Sequence, residues 1–229
     1  MKKGDLRKKE ILSTAEELFC RQGYEKTSVQ DIIDRLNSSK GSFYHHFASK
    51  ETLLEGICRN RAEQIFIVSS DRTDQFASAP EKLNSLLSCI FPFAKEKLSF
   101  MMMLLPVFSL PEGKLIVQYY CNALSEQFRI PLSKLLESGH QSSELFCTDP
   151  ENATALLLFI TNRLWTEICN KIIMHETNHT DHDLSEYLRM IQCSRTCIER
   201  FLCLPFGSVE MISLQELRFL IEQIHNHWE

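Results

Sequence analysis

The chain has 229 residues, of which 44% are hydrophobic and 24% are charged, and it carries a net charge of −5 at pH 7. This is the composition of an ordinary soluble globular protein. The sequence has no apolar run of about 18 residues, which excludes a transmembrane helix. Its start, MKKGDLRKKE, lacks the apolar core of a signal peptide, so we expect a cytoplasmic location.

The nine cysteines are scattered without a CxxC pair, and the closest two, Cys193 and Cys197, are one helical turn apart. In a cytosolic protein this pattern suggests reduced, mostly buried thiols. A redox-sensing cysteine stays open as an alternative.

The charges are distributed unevenly. Residues 1–60 hold 11 Lys and Arg against 9 Asp and Glu, whereas the rest of the chain holds 14 against 21. A basic end on an acidic body suits an arrangement in which the N-terminus binds DNA. An excess this small is also an ordinary fluctuation, so it supports that interpretation only beside other signals.

The first predicted helix runs from about Arg7 to Gln22 and stops at Gly23, as a helix with a glycine at its C-terminal cap does. Its inner face is apolar and consists of Ile11, Leu12, Ala15, Leu18 and Phe19. The basic tail before it holds Lys2, Lys3, Arg7, Lys8 and Lys9. Such a tail is either solvated or in contact with phosphates or the minor groove of DNA.

A second helix is predicted after Thr27, which forms a capping-box pattern with Gln30. Its apolar face recurs at helical spacing and consists of Val29, Ile32, Ile33 and Leu36. The Asn-Ser-Ser run at 37–39 then predicts a turn.

A third short helix, about Lys40 to Phe47, places Phe43 and Phe47 on one side, and Ser49 can cap a fourth that begins at Lys50. Two helices joined by a short turn are typical of a DNA-reading motif whose second helix enters the major groove.

From about Lys8 to Ile57 the sequence resembles the TetR family of bacterial transcriptional regulators. The resemblance rests on A-x-x-L-F with a Gly-Tyr turn (Ala15, Leu18, Phe19, Gly23, Tyr24), on Thr27-Ser28-Val29 with Ile32, and on the run SKGSFYHHFASKE. The rest of the chain has no comparable motif, so the resemblance there is only architectural.

The resemblance implies that Tyr44 and Lys50 contact DNA phosphates, although half-buried packing is the alternative for Tyr44. Ser42 and His45 are suited to base edges, and Lys40 to a guanine edge or a phosphate. Gly41 lets the backbone approach DNA, or is only a turn glycine at a helix start. Thr27 and Ser28 offer hydroxyls and amides at a helix start to another phosphate. The predicted DNA-binding residues are therefore Thr27, Ser28, Ser39, Lys40, Gly41, Ser42, Tyr44, His45 and Lys50. His46 is expected to support them.

The fourth helix is predicted from Lys50 towards Ser69, and the polar segment SSDRTDQFASAP follows. This places a domain boundary at about 60–70 and predicts a helix-turn-helix domain at 1–60 and an effector-binding and dimerisation domain at 61–229. The body has no alternating β pattern, so the fold class is all-α, with helices at about 80–97, 99–109, 112–138, 150–176, 183–204 and 213–228. Pro92, Pro106 and Pro131 are expected to kink or break them.

The body also contains candidates for an apolar pocket. The segment SFMMMLLPVFSL is rich in side chains that adapt to apolar ligands, although plain core filling is the commoner role. Because the family's bodies usually enclose an effector, the predicted pocket residues are Met101, Met102, Leu105, Phe108, Tyr119, Phe128, Phe159, Asn162 and Trp165.

Two body helices are candidates for a dimer interface. The helix after Asp149 is apolar almost all round, which indicates burial on more than one side. By resemblance to the family, residues 150–176 and 183–204 form a four-helix bundle with a second copy. The last segment has a narrow apolar seam at Leu214, Leu217, Ile221, Ile224 and Trp228, and whether it packs within one subunit or across two stays open.

One motif points to another class of protein. His175-Glu176-Thr177-Asn178-His179 matches the H-E-x-x-H zinc signature, and Glu199 is a conceivable third ligand. The motif runs into TNHTDHD, which favours an exposed loop over the rigid helix that this chemistry needs. We therefore predict no metal, no cofactor and no enzyme, and keep a metal-dependent hydrolase as the alternative.

The sequence thus predicts a homodimeric repressor that binds a double-stranded DNA operator and is released by a small, apolar effector. A DNA-binding regulator whose body binds protein is a second alternative. The operator, the effector and the regulated genes are not predicted.

Overall fold

The computed structural model describes residues 3–91, 98–110, 113–178 and 184–228. All regular elements within these ranges are helical, which confirms the all-α prediction. They are α1 (Lys3–Gln22), α2 (Val29–Arg35), α3 (Lys40–His46), α4 (Lys50–Thr73), α5 (Ala79–Ile90), α6 (Leu98–Leu104), a 3-10 turn (Leu105–Ser109), α7 (Gly113–Gln141), α8 (Pro150–Asn178), α9 (Leu184–Phe201) and α10 (Leu214–Trp228). Across the described ranges, none of the helices combines the length and the apolar character that crossing a bilayer requires.

The chain forms two compact units. The first consists of residues 1–62 and 99–120, and the second of residues 63–98 and 121–229. The boundaries fall within α4, after the first residue of α6 and within α7. The head predicted for residues 1–60 therefore shares its compact unit with most of α6 and the first part of α7.

In the first unit, α1 stops where the sequence predicts. Gly23 has φ +88°, and its N–H donates to the Phe19 carbonyl at 3.0 Å. This left-handed conformation costs glycine no Cβ clash.

The start of α2 lies one residue later than predicted. Ser28 is the N-cap, and it forms a reciprocal capping box with Asp31. The prediction of Thr27 with Gln30 is wrong because the Thr27 side chain is buried and its hydroxyl donates to the Gly23 carbonyl at 2.8 Å. That hydroxyl ties α2 to the end of α1.

The turn between α2 and α3 forms at Asn37, which has φ +45°, a left-handed conformation that asparagine tolerates. The N–H of Ser38 donates to the Ile33 carbonyl at 3.0 Å, so the end of α2 is satisfied. Ser39 then caps α3 by accepting a hydrogen bond from the Ser42 N–H at 3.2 Å.

Helix α4 packs closely on this pair at Gly56. A Cβ at that position would lie 2.9 Å from Phe47 Cε1 and 3.1 Å from Leu12 Cδ2. Glycine therefore lets the α4 backbone approach Phe47 at the end of α3 and Leu12 on α1. This close packing holds the helix-turn-helix against α4.

In the second unit, α8 and α9 run antiparallel. Lys171 near the end of α8 pairs with Glu186 near the start of α9 at 2.5 Å, and the Phe146 N–H before α8 donates to the Leu202 carbonyl after α9 at 2.8 Å. Helix α10 packs on α8 of the same chain, and its Leu217 and Leu220 are buried. In the protomer, α10 therefore packs within its own subunit.

Two side chains hold the connection from α9 to α10. The buried Glu199 carboxylate accepts hydrogen bonds from the N–H groups of Gly207 and Val209 at 2.9 and 3.1 Å. The Asn84 amide on α5 donates to the Ser208 carbonyl at 2.7 Å and accepts from the Glu210 N–H at 3.0 Å. Hydrogen bonds from α9 and α5 therefore hold the segment between α9 and α10.

The prolines affect the helices less uniformly than predicted. Pro106 lies in the 3-10 turn that follows α6, whereas α7 continues through Pro131 to Gln141, so Pro131 does not break it. Proline removes one backbone hydrogen bond, and the buried Phe128, Leu132 and Leu136 keep this stretch of α7 packed. Pro92 lies outside the described residues.

Candidate nucleic-acid interface

Helix α3 has one buried and one exposed face. Phe43 and Phe47 are only 1% and 5% exposed, whereas Tyr44 is 54% exposed. Lys40 and His45 are also exposed. The two aromatic anchors fix the helix on its support, so the side chains on the other face are presented to solvent at fixed positions.

The small residues at the start of α3 differ in how accessible they are. Gly41 is exposed, and a Cβ there would meet nothing closer than Ser39 Oγ at 4.0 Å. Packing within the protein therefore does not require a glycine at this position. Ser39 is exposed and Ser42 is half-buried.

The two predicted hydroxyl donors before α2 are already engaged. Thr27 is buried and donates to the Gly23 carbonyl. The Ser28 N–H and hydroxyl both donate to Asp31 Oδ2, each at 2.7 Å. These two hydrogen bonds lower the pKa of Asp31. The buried Thr27 hydroxyl is therefore not accessible to a phosphate, whereas the phosphate contact of the exposed Ser28 stays a prediction.

Lys50 lies at the start of α4, with its Nζ 4.0 Å from the centre of the Tyr24 ring. Tyr24 in turn packs edge-on against Phe19 of α1 at 5.1 Å. The aromatic face orients the ammonium group through a cation–π contact, which positions Lys50 at the start of α4.

Cations from α1 lie beside the end of α3. Lys8 Nζ lies 5.8 Å from the Phe47 ring centre, and the His45 and His46 rings are in edge contact at 5.0 Å. Burial, followed by the charges of His45, Lys8 and Arg7, lowers the pKa of His46. Positive charge therefore accumulates near the reading helix, which favours a polyanion as its partner. The sequence located this basic tail but not its position against α3.

The predicted pocket residues are divided between the two units. Met101, Met102, Leu105, Phe108 and Tyr119 belong to the first, and Phe128, Phe159, Asn162 and Trp165 to the second. Met101, Leu105, Phe128 and Trp165 are fully buried. Phe159 is 67% exposed, because it lies on the outward face of α8. Its assignment to an enclosed pocket is wrong for the protomer.

Asn162 forms a closed polar cluster in the second unit. Its Nδ2 donates to Ser125 Oγ at 3.1 Å and to the Cys121 carbonyl at 3.4 Å, and its Oδ1 accepts from Trp165 Nε1 at 3.0 Å. The amide is thus used to orient buried Trp165, which the sequence pattern did not reveal.

The zinc-like motif lies mostly outside the part of the chain that can be assessed. The α8 backbone continues to Asn178, so the predicted loop is wrong for Thr177 and Asn178. The side chains of His175 and Glu176, and the whole of His179 and His182, are outside the described residues. Within the described residues, no group of three or more His, Cys, Asp or Glu side chains is arranged to hold a metal.

A half-buried ion pair in the first unit was also not predicted. Arg61 on α4 pairs with Glu16 on α1, and its guanidinium lies 5.6 Å from the Phe100 ring centre on α6. Burial raises the pKa of Glu16, an effect that Arg61 opposes. Arg61 thus joins α1 and α6 to one point on α4.

The comparisons with known proteins agree with this geometry. The sequence model described as "Bacterial regulatory proteins, tetR family" matches residues 11–57. The chain is 35% identical over 85 residues to the HTH-type transcriptional repressor KstR2 of Mycobacterium tuberculosis, covering 37% of this chain and 42% of that protein. It is 28% identical over 145 residues to the HTH-type regulator YerO of Bacillus subtilis, covering 62% and 50%. The chain thus spans about half the length of these curated relatives.

The solved structures extend the likeness in fold beyond the head. The structure of FadR from Bacillus subtilis in complex with stearoyl-CoA is similar with a TM-score of 0.53 at 19% identity, covering 88% of this chain and 99% of that one. The helix-turn-helix at residues 11–57 thus matches the TetR family of bacterial regulatory proteins, and beyond that segment the chain shares the fold of these solved structures.

Proposed function

We propose that the protein is a cytoplasmic transcriptional repressor that binds a DNA operator through α3 and is released from it by a small, apolar effector. The observation that carries the proposal is the division of α3, whose aromatic face is buried while Lys40, Tyr44 and His45 are exposed. This helix lies within residues 11–57, where the family model matches, and KstR2, to which the chain is similar over 85 residues, is named a repressor.

We assign different roles to the exposed residues. Tyr44, Lys50 and the α1 cation Lys8 bind phosphates and set the register of α3 in the groove. Lys40 and His45 read base edges, because they are exposed and carry hydrogen-bonding groups. The exposed Gly41 allows the backbone to come close to the DNA.

The outward face of the α8–α9 pair supports a homodimer. Leu156, Phe159 and Met174 on α8, and Leu188 and Phe201 on α9, are each at least 40% exposed. Apolar side chains in this number on two packed helices are typical of a protein interface. An isologous contact buries the same face of both subunits and forms a four-helix bundle. Two recognition helices then read a palindromic operator.

The effector proposal rests on the links around α6 in the first unit. The Arg61 guanidinium contacts both Glu16 of α1 and the Phe100 ring of α6, and Cys20 Sγ of α1 donates to the Ser99 carbonyl at 3.6 Å. Met101 on α6 is fully buried, so an apolar molecule that enters beside it displaces α6. The links then transmit the displacement to α1 of the reading head.

The size of this response is set by binding thermodynamics. The effector weakens DNA binding only by its preference for the released conformation. The FadR structure carries stearoyl-CoA, so a protein of this fold accommodates a ligand with a long apolar acyl chain.

Fluorescence anisotropy with DNA flanking the protein's own gene tests the proposal, at fixed moderate salt and with nonspecific competitor. We expect saturable binding of a dimer that survives the competitor. The Lys40→Ala variant should lose it, whereas Lys134→Ala, which alters an exposed residue of α7, should not. Binding that any DNA competes away equally would contradict the proposal. The same assay then screens apolar compounds for release.

A further inference from the structure

The cysteines of α9 differ from most others in the chain. Cys193 and Cys197 are exposed, whereas Cys58, Cys89, Cys147 and Cys169 are buried. A free thiol is among the groups most often found in protein interiors. Two exposed thiols one turn apart on a single helix therefore point to a surface that another molecule covers or modifies.

Three of the other thiols are poorly suited to exchange chemistry. Burial raises the pKa of Cys20 to about 11 and that of Cys121 to about 12, and burial followed by the neighbouring Cys121 raises the pKa of Cys169. The thiolate is the species that attacks a disulfide. These three thiols therefore react slowly at neutral pH.

The α9 thiols lie in an open groove of about 670 Å³ on one side of the helix. The groove is lined by Leu188, Arg189, Gln192, Cys193, Thr196, Cys197 and Arg200. It extends along α9 from the exposed Leu188 to Arg200. Cys193 and Cys197 lie on either side of the midpoint between those two residues. In an isologous interface the twofold axis passes through the centre of the shared face.

We propose that Cys193 and Cys197 are a redox modification site that links two subunits through a disulfide across the twofold axis. The proposal rests on the α8–α9 dimer of the proposed function. With two antiparallel α9 helices crossing midway between Cys193 and Cys197, Cys193 of one protomer faces Cys197 of its partner.

A disulfide within one helix does not compete. Side chains four residues apart on a helix have Cβ atoms about 5–6 Å apart, whereas a disulfide needs a Cβ separation of about 3.5–4.5 Å. Cys193 and Cys197 of the same α9 therefore cannot join without unwinding it. The reaction between subunits is the one that the geometry favours.

The oxidant is a low-molecular-weight disulfide such as oxidised glutathione. One α9 thiolate attacks it, forms a mixed disulfide and releases one equivalent of the small thiol. The partner's α9 thiolate then displaces the second small thiol and forms the cross-link. Two protein thiols are oxidised and one small disulfide is reduced to two thiols, so electrons and protons balance.

The test uses the full-length protein with oxidised glutathione, followed by non-reducing gel electrophoresis and mass-spectrometric mapping of disulfide peptides. We expect a covalent dimer that a reductant reverses and that stays dimeric on dilution. Cys193→Ser with Cys197→Ser should abolish it. Cys203→Ser is the matched control, because Cys203 is exposed but follows α9.

The outcomes separate this inference from the proposed dimer. A reduced protein that is monomeric by light scattering at the same concentration overturns both. A reduced dimer that yields no covalent product, or one whose cross-link survives in the double variant and maps to Cys203, overturns only the redox site. Loss of the cross-link in the double variant, with the wild-type peptide containing an α9 cysteine from each subunit, supports it.

Discussion

Replacing Lys50 by alanine tests whether the start of α4 binds a phosphate. Each protomer contributes one Lys50, so the dimer would lose two phosphate contacts. Each contact contributes about 0.9 to the slope of log affinity against log salt, so we expect the slope to become shallower by about 1.8. Between about 50 and 200 mM salt, the defect of the variant relative to wild type should therefore shrink about twelvefold.

The fold should survive this change. Lys50 Nζ lies 4.0 Å from the Tyr24 ring centre, a contact that contributes about 0.5–1 kcal/mol at a solvated site. Domains of ordinary stability unfold at a cost of about 5–15 kcal/mol. Urea denaturation should therefore show a folded variant with a slightly lower free energy of unfolding, and the DNA measurement remains interpretable.

Anisotropy titrations at four or more salt concentrations give the two slopes. Lys50→Arg keeps the cation and should keep most of the slope, and Lys134→Ala on α7 should leave both slope and affinity unchanged. A Lys50→Ala slope equal to that of wild type would refute a phosphate contact, even if the affinity fell. It would assign Lys50 to packing on Tyr24 alone.

Three further changes address other parts of the protein. His45→Ala should alter the preference among operator sequences more than the overall affinity, measured on a library of single-base variants; no change in either would show that His45 does not read bases. The pKa of His46 is lowered in the folded state, so protonation of His46 favours the unfolded chain. The contribution of neutral His46 to stability is therefore present above about pH 6.5 and lost as the pH falls below that value. His46→Gln should flatten this pH dependence of the free energy of unfolding in urea titrations. Glu199→Ala leaves the N–H groups of Gly207 and Val209 without their acceptor, so we expect a loss of about 2–4 kcal/mol in the free energy of unfolding. A loss below about 0.5 kcal/mol would show that other contacts hold the segment between α9 and α10.

The local signals of the head were sufficient for its secondary structure, because they act within a few residues. Gly23 ends α1 in a left-handed conformation, and Phe43 and Phe47 are buried at helical spacing. The capping box was displaced by one residue because the Thr27 hydroxyl donates to the Gly23 carbonyl just after α1. That hydrogen bond depends on the conformation of the turn between α1 and α2, which the capping pattern by itself does not specify.

The sequence by itself determined the all-α class and the helix-turn-helix, because helical periodicity, caps and turn residues are local properties of the chain. Only the tertiary structure decided which side chains meet: Lys8 beside α3, Arg61 between α1 and α6, and Asn162 around Trp165. It also decided that Phe159 faces outward. A helix that is apolar nearly all round, such as α8, does not indicate which side its neighbours will cover. The packing of α9 and α10 determines which side of α8 is buried.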